Sequence, residues 1–412
     1  MKKLDIDCLA TIEFEVSWDS YETTHIERYL GRKVNLWRDI FPEGMKEALL
    51  GQSKGSRITL SYNPGQAVPA RSDRDTITTH LSNFTRRQFL GQPLTPRLGR
   101  FYPRGMLGGV HFFVNDVRPC RITGINEKTL TADCSHPLAD KKFNISAKLG
   151  DFASKHCETG GRVTHWVDEI LGTGPGMQAR TDGLSTDFSS DSFQRIDEKP
   201  DHKFYQSPRF TNHIDEQAQK FLALEYSRLI KPGMEILDLM SSVTSHLPYD
   251  LDVRVTGLGL NMEEMAANNR LDSRLVHDLN NKPELPWGDS SFDAVLCSLS
   301  VEYLTNPYQI VREALRTLRP GGILAVGFSN RWFPPKVTRL WREMHEFERV
   351  GFVLDLMLKT DGFTALATKS FRNWWRPEHD PHINQTWISD PVYVVSAAKK
   401  QRNKPNPPLG MV

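Results

Sequence analysis

Hydrophobic and polar positions change rhythm along this chain, and the change divides it. Between Glu235 and Gly322, short apolar runs recur at Glu235–Met240, Val253–Gly259, Arg274–His277, Phe292–Cys297 and Ile323–Phe328. Longer segments of helical spacing separate them. Short apolar strands alternating with helical patterns predict βαβ units and a parallel sheet. Such sheets bind ligands at the carboxyl ends of their strands, where Asp238, Gly259, Asp278 and Cys297 fall. Ahead of the first run, Ile214, Ala218, Phe221, Leu222, Tyr226 and Leu229 recur at threes and fours. They predict an amphipathic helix over Thr211–Ile230, ended by Lys231-Pro232-Gly233. Beyond the fifth run, Val337–Phe347 and Phe352–Leu358 have helical spacing, and Phe363–Thr368 and Val392–Ala397 read as strands.

The first 150 residues keep a different beat. Residues 8–18 alternate as a half-buried strand, and Met45, Ala48 and Leu49 share a helical face stopped by Gly51. Arg57–Tyr62 is a second alternating strand, ended by Asn63-Pro64-Gly65. Residues 105–149 predict only strands: Met106–Val114, Arg121–Ile125, Leu130–Asp133 and Phe143–Ala147. Residues 151–207 are rich in Gly, Ser, Thr and Asp and read as an extended linker with one apolar patch, Val163–Leu171. Within it, Gly172-Thr173-Gly174-Pro175-Gly176 has the look of a nucleotide loop. It follows a helical pattern and contains proline, so a helix stop and flexible turn is the better account.

At 412 residues the chain predicts two or three domains. Charged residues at 25% and hydrophobic ones at 39% are a globular composition. The net charge of +2 gives no nucleic-acid signal. Met1-Lys2-Lys3 leads into Leu4-Asp5 without an apolar leader, and no run approaches the ~20 apolar residues of a membrane span. Five scattered cysteines, none in CxxC spacing, predict free thiols in a reducing cytoplasm and no metal site.

The segment Leu285–Val295 reads LPWGDSSFDAV, against a family pattern like LPFxDxSFDxV, and residues 318–322 read LRPGG. With the order of elements, these resemble a class I, type 11 S-adenosylmethionine-dependent methyltransferase over roughly residues 208–400. The resemblance implies an α/β doubly wound, Rossmann-like sheet with an antiparallel last strand, S-adenosyl-L-methionine as cofactor, and a small-molecule or peptide methyl acceptor. Residues 401–412, rich in Pro, Lys and Asn, read as a disordered tail.

Pro42–Gly51, Gly55 before its strand, Gly105-Met106, Pro119–Ile125 and Asp133–Ala139 are similar to the SlyD-like branch of FKBP-type peptidyl-prolyl isomerases over about residues 5–150. That resemblance implies a mostly β, FKBP-like α+β domain with a flap insertion at about 71–121 and a peptide partner. The flap holds nine arginines, no lysine and three aspartates, either a basic surface for acidic peptide or cofactor phosphate, or a solvated loop. The family's Ala-Tyr-Gly is replaced by Ala67-Val68-Pro69, so Val68 stands where a tyrosine hydroxyl would hold the peptide carbonyl. Ser17-Trp18-Asp19-Ser20 also lacks the turn glycine. A peptide-binding or scaffolding role is expected before efficient isomerisation. The alternative for the whole chain is an isomerase or chaperone carrying a degenerate methyltransferase-like module.

The resemblance also places a cofactor site, from which this chain departs. The family's glycine-rich first loop is here Asp238-Leu239-Met240-Ser241-Ser242-Val243-Thr244-Ser245-His246. Either Ser241, Ser242 and Ser245 donate hydrogen bonds to the methionyl carboxylate, or the loop is remodelled and no longer binds cofactor. The run also resembles a methyltransferase-like subfamily that carries it in place of the glycines. Gly259 stands where the ribose-binding acid belongs. Leu260 and Asn261 follow, and the Asn261 amide is the candidate substitute. Asp278 would accept from the adenine amino group with Leu279 covering the ring, or it caps a helix. Ser298 would line the methyl side, with Leu299 and Ser300 beside it. Tyr205 and His213 precede the first strand and either reach the site or pack. Methyl transfer demands alignment, desolvation and sometimes a base. His246, Glu302, Tyr303 and Cys297 are the candidates, and no spacing selects among them. Arg331 after the fifth strand would meet an acidic substrate or form a surface salt bridge.

Overall fold

The computed structural model describes residues 2–401 apart from 86, 87, 90, 91, 156, 158, 159, 173, 182 and 189. The expected disordered tail lies beyond Gln401, outside the described residues.

The N-terminal strands follow the alternation. In β1 (Cys8–Ser20), Cys8, Ala10, Ile12, Phe14, Val16 and Trp18 are all buried. β2 (Thr23–Asn35) pairs with it in antiparallel fashion, across a tight turn. α1 (Met45–Leu49) packs Met45 and Leu49 into the same core, and β3 (Arg57–Tyr62) forms the far edge. Val68 belongs to this core too, 3% exposed.

A lobe of its own follows. β4 (Thr76–His80), the short hairpin β5 (Gln88–Phe89) and β6 (Gln92–Pro93), β7 (Phe101–Pro103), β8 (Pro119–Ile125) and β9 (Thr129–Asp133) build it, with a sheet ordered β4-β9-β8-β7. The insertion therefore extends past 121 to Asp133, because β8 and β9 pair within it. Met106–Val114, expected as a strand, turns instead: the Leu107 amide donates to Arg104 O and the Gly105 amide to Asp116 O. Most of the described arginines of this lobe are engaged within the protein, and Arg74 is exposed. Arg71 bonds Asp133 and Asp140, Arg118 bonds Asp116, Arg104 and Arg121 bond backbone carbonyls, and Arg100 is fully buried against Glu348. Arg86 and Arg87 lie outside the described residues.

β10 (Phe143–Ser154) returns to pair with β1 and β3, so the expected linker begins after 154. The linker is packed, not free. Trp166, Ile170 and Leu171 of α2 (Trp166–Leu171) enter the N-terminal core, and Met177 enters the C-terminal one. The glycine run is a buried wedge: a Cβ on Gly174 would sit 2.4 Å from Phe347, and one on Gly176 2.7 Å from Pro137. Glycine serves close packing there, not flexibility. α3 (Asp201–Phe204) precedes the next layer.

The C-terminal elements are α4 (Glu216–Leu229), β11 (Glu235–Leu239), β12 (Arg254–Gly259), α5 (Met262–Ala267), β13 (Ser273–Val276), β14 (Phe292–Ser298), α6 (Pro307–Thr317), β15 (Leu318–Phe328), α7 (Arg339–Glu343), α8 (Glu346–Leu358), β16 (Phe363–Arg372) and β17 (Val392–Lys399). Asp215 caps α4 by accepting from the Gln217 and Ala218 amides. The strand order is β13-β12-β11-β14-β15-β17-β16, parallel from β13 to β15 with β17 antiparallel. α4 and α5 cover one face and α6 to α8 the other. α6 stops at Thr317, and the LRPGG run begins β15.

The two halves share one sheet. β16 pairs in parallel with β2 over Leu366↔Thr23 to Arg372↔Tyr29, giving eleven strands in a single ladder. Polar side chains close the seam. His25 is bonded to Ser20 and Thr368, and Glu27 to Ser370 and Gln178, all buried.

Candidate functional site

The carboxyl ends of β11, β12, β13 and β14 open onto one cleft of about 1020 Å³, its mouth included. Of the residues expected at the cofactor, Asp238, Met240, Ser241, Ser242, Leu260, Asn261, Asp278, Leu279 and Ser298 line it, and Ser245 does not. His246, Tyr303, Tyr205 and His213 line it as well. Glu302 and Cys297 are not among its lining residues. Arg331 bonds Asp390 and is a salt bridge.

The loop after β11 keeps a glycine-type path without glycine. Met240 and His246 stand at φ 54° and 53°, and Leu299 across the cleft at 53°. Left-handed backbone costs a side-chain-bearing residue roughly 1–2 kcal/mol, so the surrounding contacts hold these turns. Asp238 is the main one. Its buried Oδ2 accepts from Ser241 Oγ at 2.7 Å and Ser245 Oγ at 2.8 Å. Burial raises its pKa to about 6, against the lowering effect of those two bonds. Ser242 Oγ donates to Glu264 Oε2 at 2.6 Å.

These bonds correct the expected role of the serines. A hydroxyl has one proton, and all three protons point to protein carboxylates. Ser241 and Ser242 offer the cleft lone pairs, which suit an ammonium and not a carboxylate. Ser245 does not line the cleft at all. Asn261 is likewise engaged. Its Oδ1 caps α5 through the Glu263 and Glu264 amides, and its Nδ2 donates to Tyr205 O and Gln206 O. It has no amide proton left for a ribose. Gly259 has a steric cause: a Cβ there would lie 2.2 Å from Ser241 O. The loop occupies the space an acid would need.

Asp278 uses Oδ1 for the Asn280 and Asn281 amides, a turn-capping bond. Its Oδ2 has no hydrogen-bond partner among the described residues. Both roles weighed from the sequence thus coexist in one side chain.

Among the candidate bases, burial, with His213 nearby, lowers His246 to about 4, so the ring is neutral at pH 7. Its Nδ1 is buried and unpartnered. Burial holds the Tyr303 phenol well above its ordinary value, and its oxygen accepts from the Phe333 amide at 2.9 Å. Glu302 is 1% exposed and raised to about 8 by burial, so it stays protonated at neutral pH, off the cleft.

Arg209 and Glu264 went unseen in the sequence, and both line the cleft. The Arg209 guanidinium lies over Phe204, Tyr205 and Phe333 at 4.7, 5.6 and 5.1 Å, and its backbone amide donates to Glu264 Oε1. Nothing in the local pattern marks Arg209, because its neighbours come from three separate segments.

Residues 241–326 match the family model of the methyltransferase domain. The C-terminal part of the chain carries a class I methyltransferase domain. S-adenosylmethionine is the cofactor this domain implies. Demethylmenaquinone methyltransferase of Paenarthrobacter aurescens is 30% identical over 169 residues, 39% of this chain and 62% of that protein. The 27-O-demethylrifamycin SV methyltransferase of Amycolatopsis mediterranei is 38% identical over 82 residues, 18% of this chain and 30% of that one. The chain thus spans less than two thirds of the length of these relatives. An S-adenosylmethionine-dependent methyltransferase from Mesorhizobium loti overlays 45% of this chain and 99% of its own, at 18% identity and TM-score 0.31. That overlay adds nothing to the topology already described.

The cleft's own atoms fit such a cofactor at its two ends. An acceptor oxygen on Asp278 and the buried Leu279 suit an amino-bearing aromatic ring. Unpartnered buried atoms on Tyr205, Arg209 and His246 suit a charged head group. The ribose end has no acid on β12, and Glu264 from the helix that follows is among the lining carboxylates.

No helix of the described residues is long and apolar enough to cross a membrane, and they contain no cluster of metal-ligating side chains.

Proposed function

We propose that this chain transfers a methyl group from S-adenosylmethionine to a small-molecule or peptide acceptor, in the cleft above β11 to β14. The observation carrying this reading is the cleft itself, which gathers the predicted cofactor residues at the strand ends despite the missing glycines. The bound cofactor supplies an electrophilic methyl on a sulfonium. Asp278 Oδ2 accepts from the adenine amino group, and Leu279 covers the ring. Lone pairs of Ser241 and Ser242 face the ammonium. The His246 ring is neutral at pH 7 with an unpartnered Nδ1, and burial weakens it as a base. The similarity to a demethylmenaquinone methyltransferase supports a quinone-like small-molecule acceptor.

The N-terminal residues, with their FKBP-like pattern, serve in this reading as a scaffold fixed by the shared sheet. A protease-coupled proline-peptide assay with turnover near that of a true FKBP would overturn that part.

Calorimetry with S-adenosylmethionine and S-adenosylhomocysteine tests the enzyme reading. Micromolar binding, weakened by Asp278→Ala by tenfold or more, is expected. No heat from either ligand at millimolar concentration would sink it.

A further inference from the structure

We propose that Arg209, with the Tyr205 hydroxyl, forms a carboxylate-binding subsite in the cleft. The proposal deepens the methyltransferase reading and rests on it only for the identity of one of two carboxylate sources. Arg209 Nη1 is buried and, among the described residues, has no hydrogen-bond partner and no carboxylate in an ion pair with this guanidinium. Its Nη2 donates to Phe204 O at 3.1 Å, which fixes the fork. Three aromatic rings hold the plane: Phe204 and Tyr205 from its own segment, and Phe333 from beyond β15. Tyr205 Oη is a second buried, unpartnered atom in the same lining.

Arg209 is half-buried, and its Nη1 is a buried donor with nothing to donate to; leaving such a group unsatisfied is costly, and a carboxylate entering the cleft relieves that cost. A planar guanidinium suits a carboxylate in geometry as well as charge. The residues that would otherwise be expected to meet such an anion are excluded, because Ser241, Ser242 and Ser245 have given their protons to Asp238 and Glu264. The segment carrying Arg209 is also held in place. Its amide bonds Glu264 Oε1, Asn261 Nδ2 bonds Tyr205 O and Gln206 O, and Thr244 Oγ1 bonds Asn212 Oδ1. Glu264 thereby ties this strap to Ser242 and the β11 loop.

The carboxylate comes either from the amino-acid end of the cofactor or from the acceptor, and two arms separate them. In the first, calorimetry on the full chain compares S-adenosylmethionine with decarboxylated S-adenosylmethionine. A cofactor source predicts that Arg209→Met weakens the former by tenfold or more and leaves the latter unchanged. In the second, benzoate is titrated into the chain saturated with S-adenosylhomocysteine. An acceptor source predicts saturable benzoate binding that Arg209→Met abolishes. Arg209→Lys keeps the charge and is expected to recover part of whichever effect is seen. Thermal unfolding of all variants separates loss of the subsite from loss of the fold. Equal affinities of wild type and Arg209→Met for every probe would overturn the subsite. If the wild type binds S-adenosylmethionine normally in that outcome, the methyltransferase reading stands without it. If the wild type binds none of the probes, both fall.

Discussion

Replacing Gly259 by the acid that related sheets carry is expected to harm this protein, not to improve its grip on a cofactor. The cause is geometric. A Cβ at 259 would stand 2.2 Å from Ser241 O, where ordinary contacts begin at 3.4 Å. Met265 Sδ lies at 3.1 Å on another side. Roughly 1 Å of backbone movement is therefore required, and overpacking of this kind costs about 1–3 kcal/mol, sometimes more. The Ser241 amide donates to Leu258 O, so the loop cannot retreat without loosening that bond. The backbone at 259 is not left-handed, so alanine would gain about 0.4–1 kcal/mol through the unfolded chain, which offsets only part of the loss. Gly259→Ala is the cleanest perturbation, and Gly288→Ala is its control, since nothing lies within 4 Å of that added Cβ. Urea unfolding should show Gly259→Ala less stable than Gly288→Ala by about 2 kcal/mol, and Gly259→Asp worse again. S-adenosylhomocysteine binding should fall in both 259 variants. If Gly259→Asp matched the wild type in stability and bound the ligand more tightly, the steric account of this departure would be refuted.

Arg100→Met should destabilise the chain by about 3–5 kcal/mol in denaturant unfolding, because it strands the buried Glu348 carboxylate, whereas Arg100→Met with Glu348→Leu should recover most of the loss; a single variant as mild as the double would disprove this. Glu302 has a folded pKa of about 8 against an unfolded 4.5, so the folded chain binds the extra proton between these values and stability falls as pH rises through that window. Glu302→Gln should flatten the slope by on the order of a few kcal/mol, read from unfolding at pH 5 and pH 8; parallel profiles for the two proteins would count against a protonated Glu302. Ser245→Ala removes one of two donors to Asp238, which should cost about 1–3 kcal/mol and move the Asp238 titration above about 6, visible in carboxyl carbon-13 shifts.

The parallel sheet was legible because each of its strands is a short apolar run, and its helices are amphipathic with polar stops. The strand ends were legible for the same reason, and they bring the expected residues to one cleft. The roles of those residues were not. Whether Ser241 offers a proton or a lone pair depends on which carboxylate lies within 3 Å, and Asp238, Glu264 and the serines meet only after folding. Arg209 is marked by no spacing, since Phe333 and Glu264 reach it only after folding. β2 was missed altogether. Its inward positions Thr23, His25 and Glu27 are polar, because they face the seam with β16 rather than an apolar core. The wedge at Gly174 and Gly176 looked like a mobile joint because glycine permits close contact as readily as it permits motion.

The β2–β16 seam bears on how this molecule can be taken apart. A cut in the segment between β10 and α4 would leave β16 on one fragment and β2 on the other, each with a bare row of amides and carbonyls that now face one another. Unsatisfied edges of that kind recruit further strands, from copies of themselves if from nothing else. Fragments made to study either half alone should therefore self-associate, and mixing the two should restore a soluble complex.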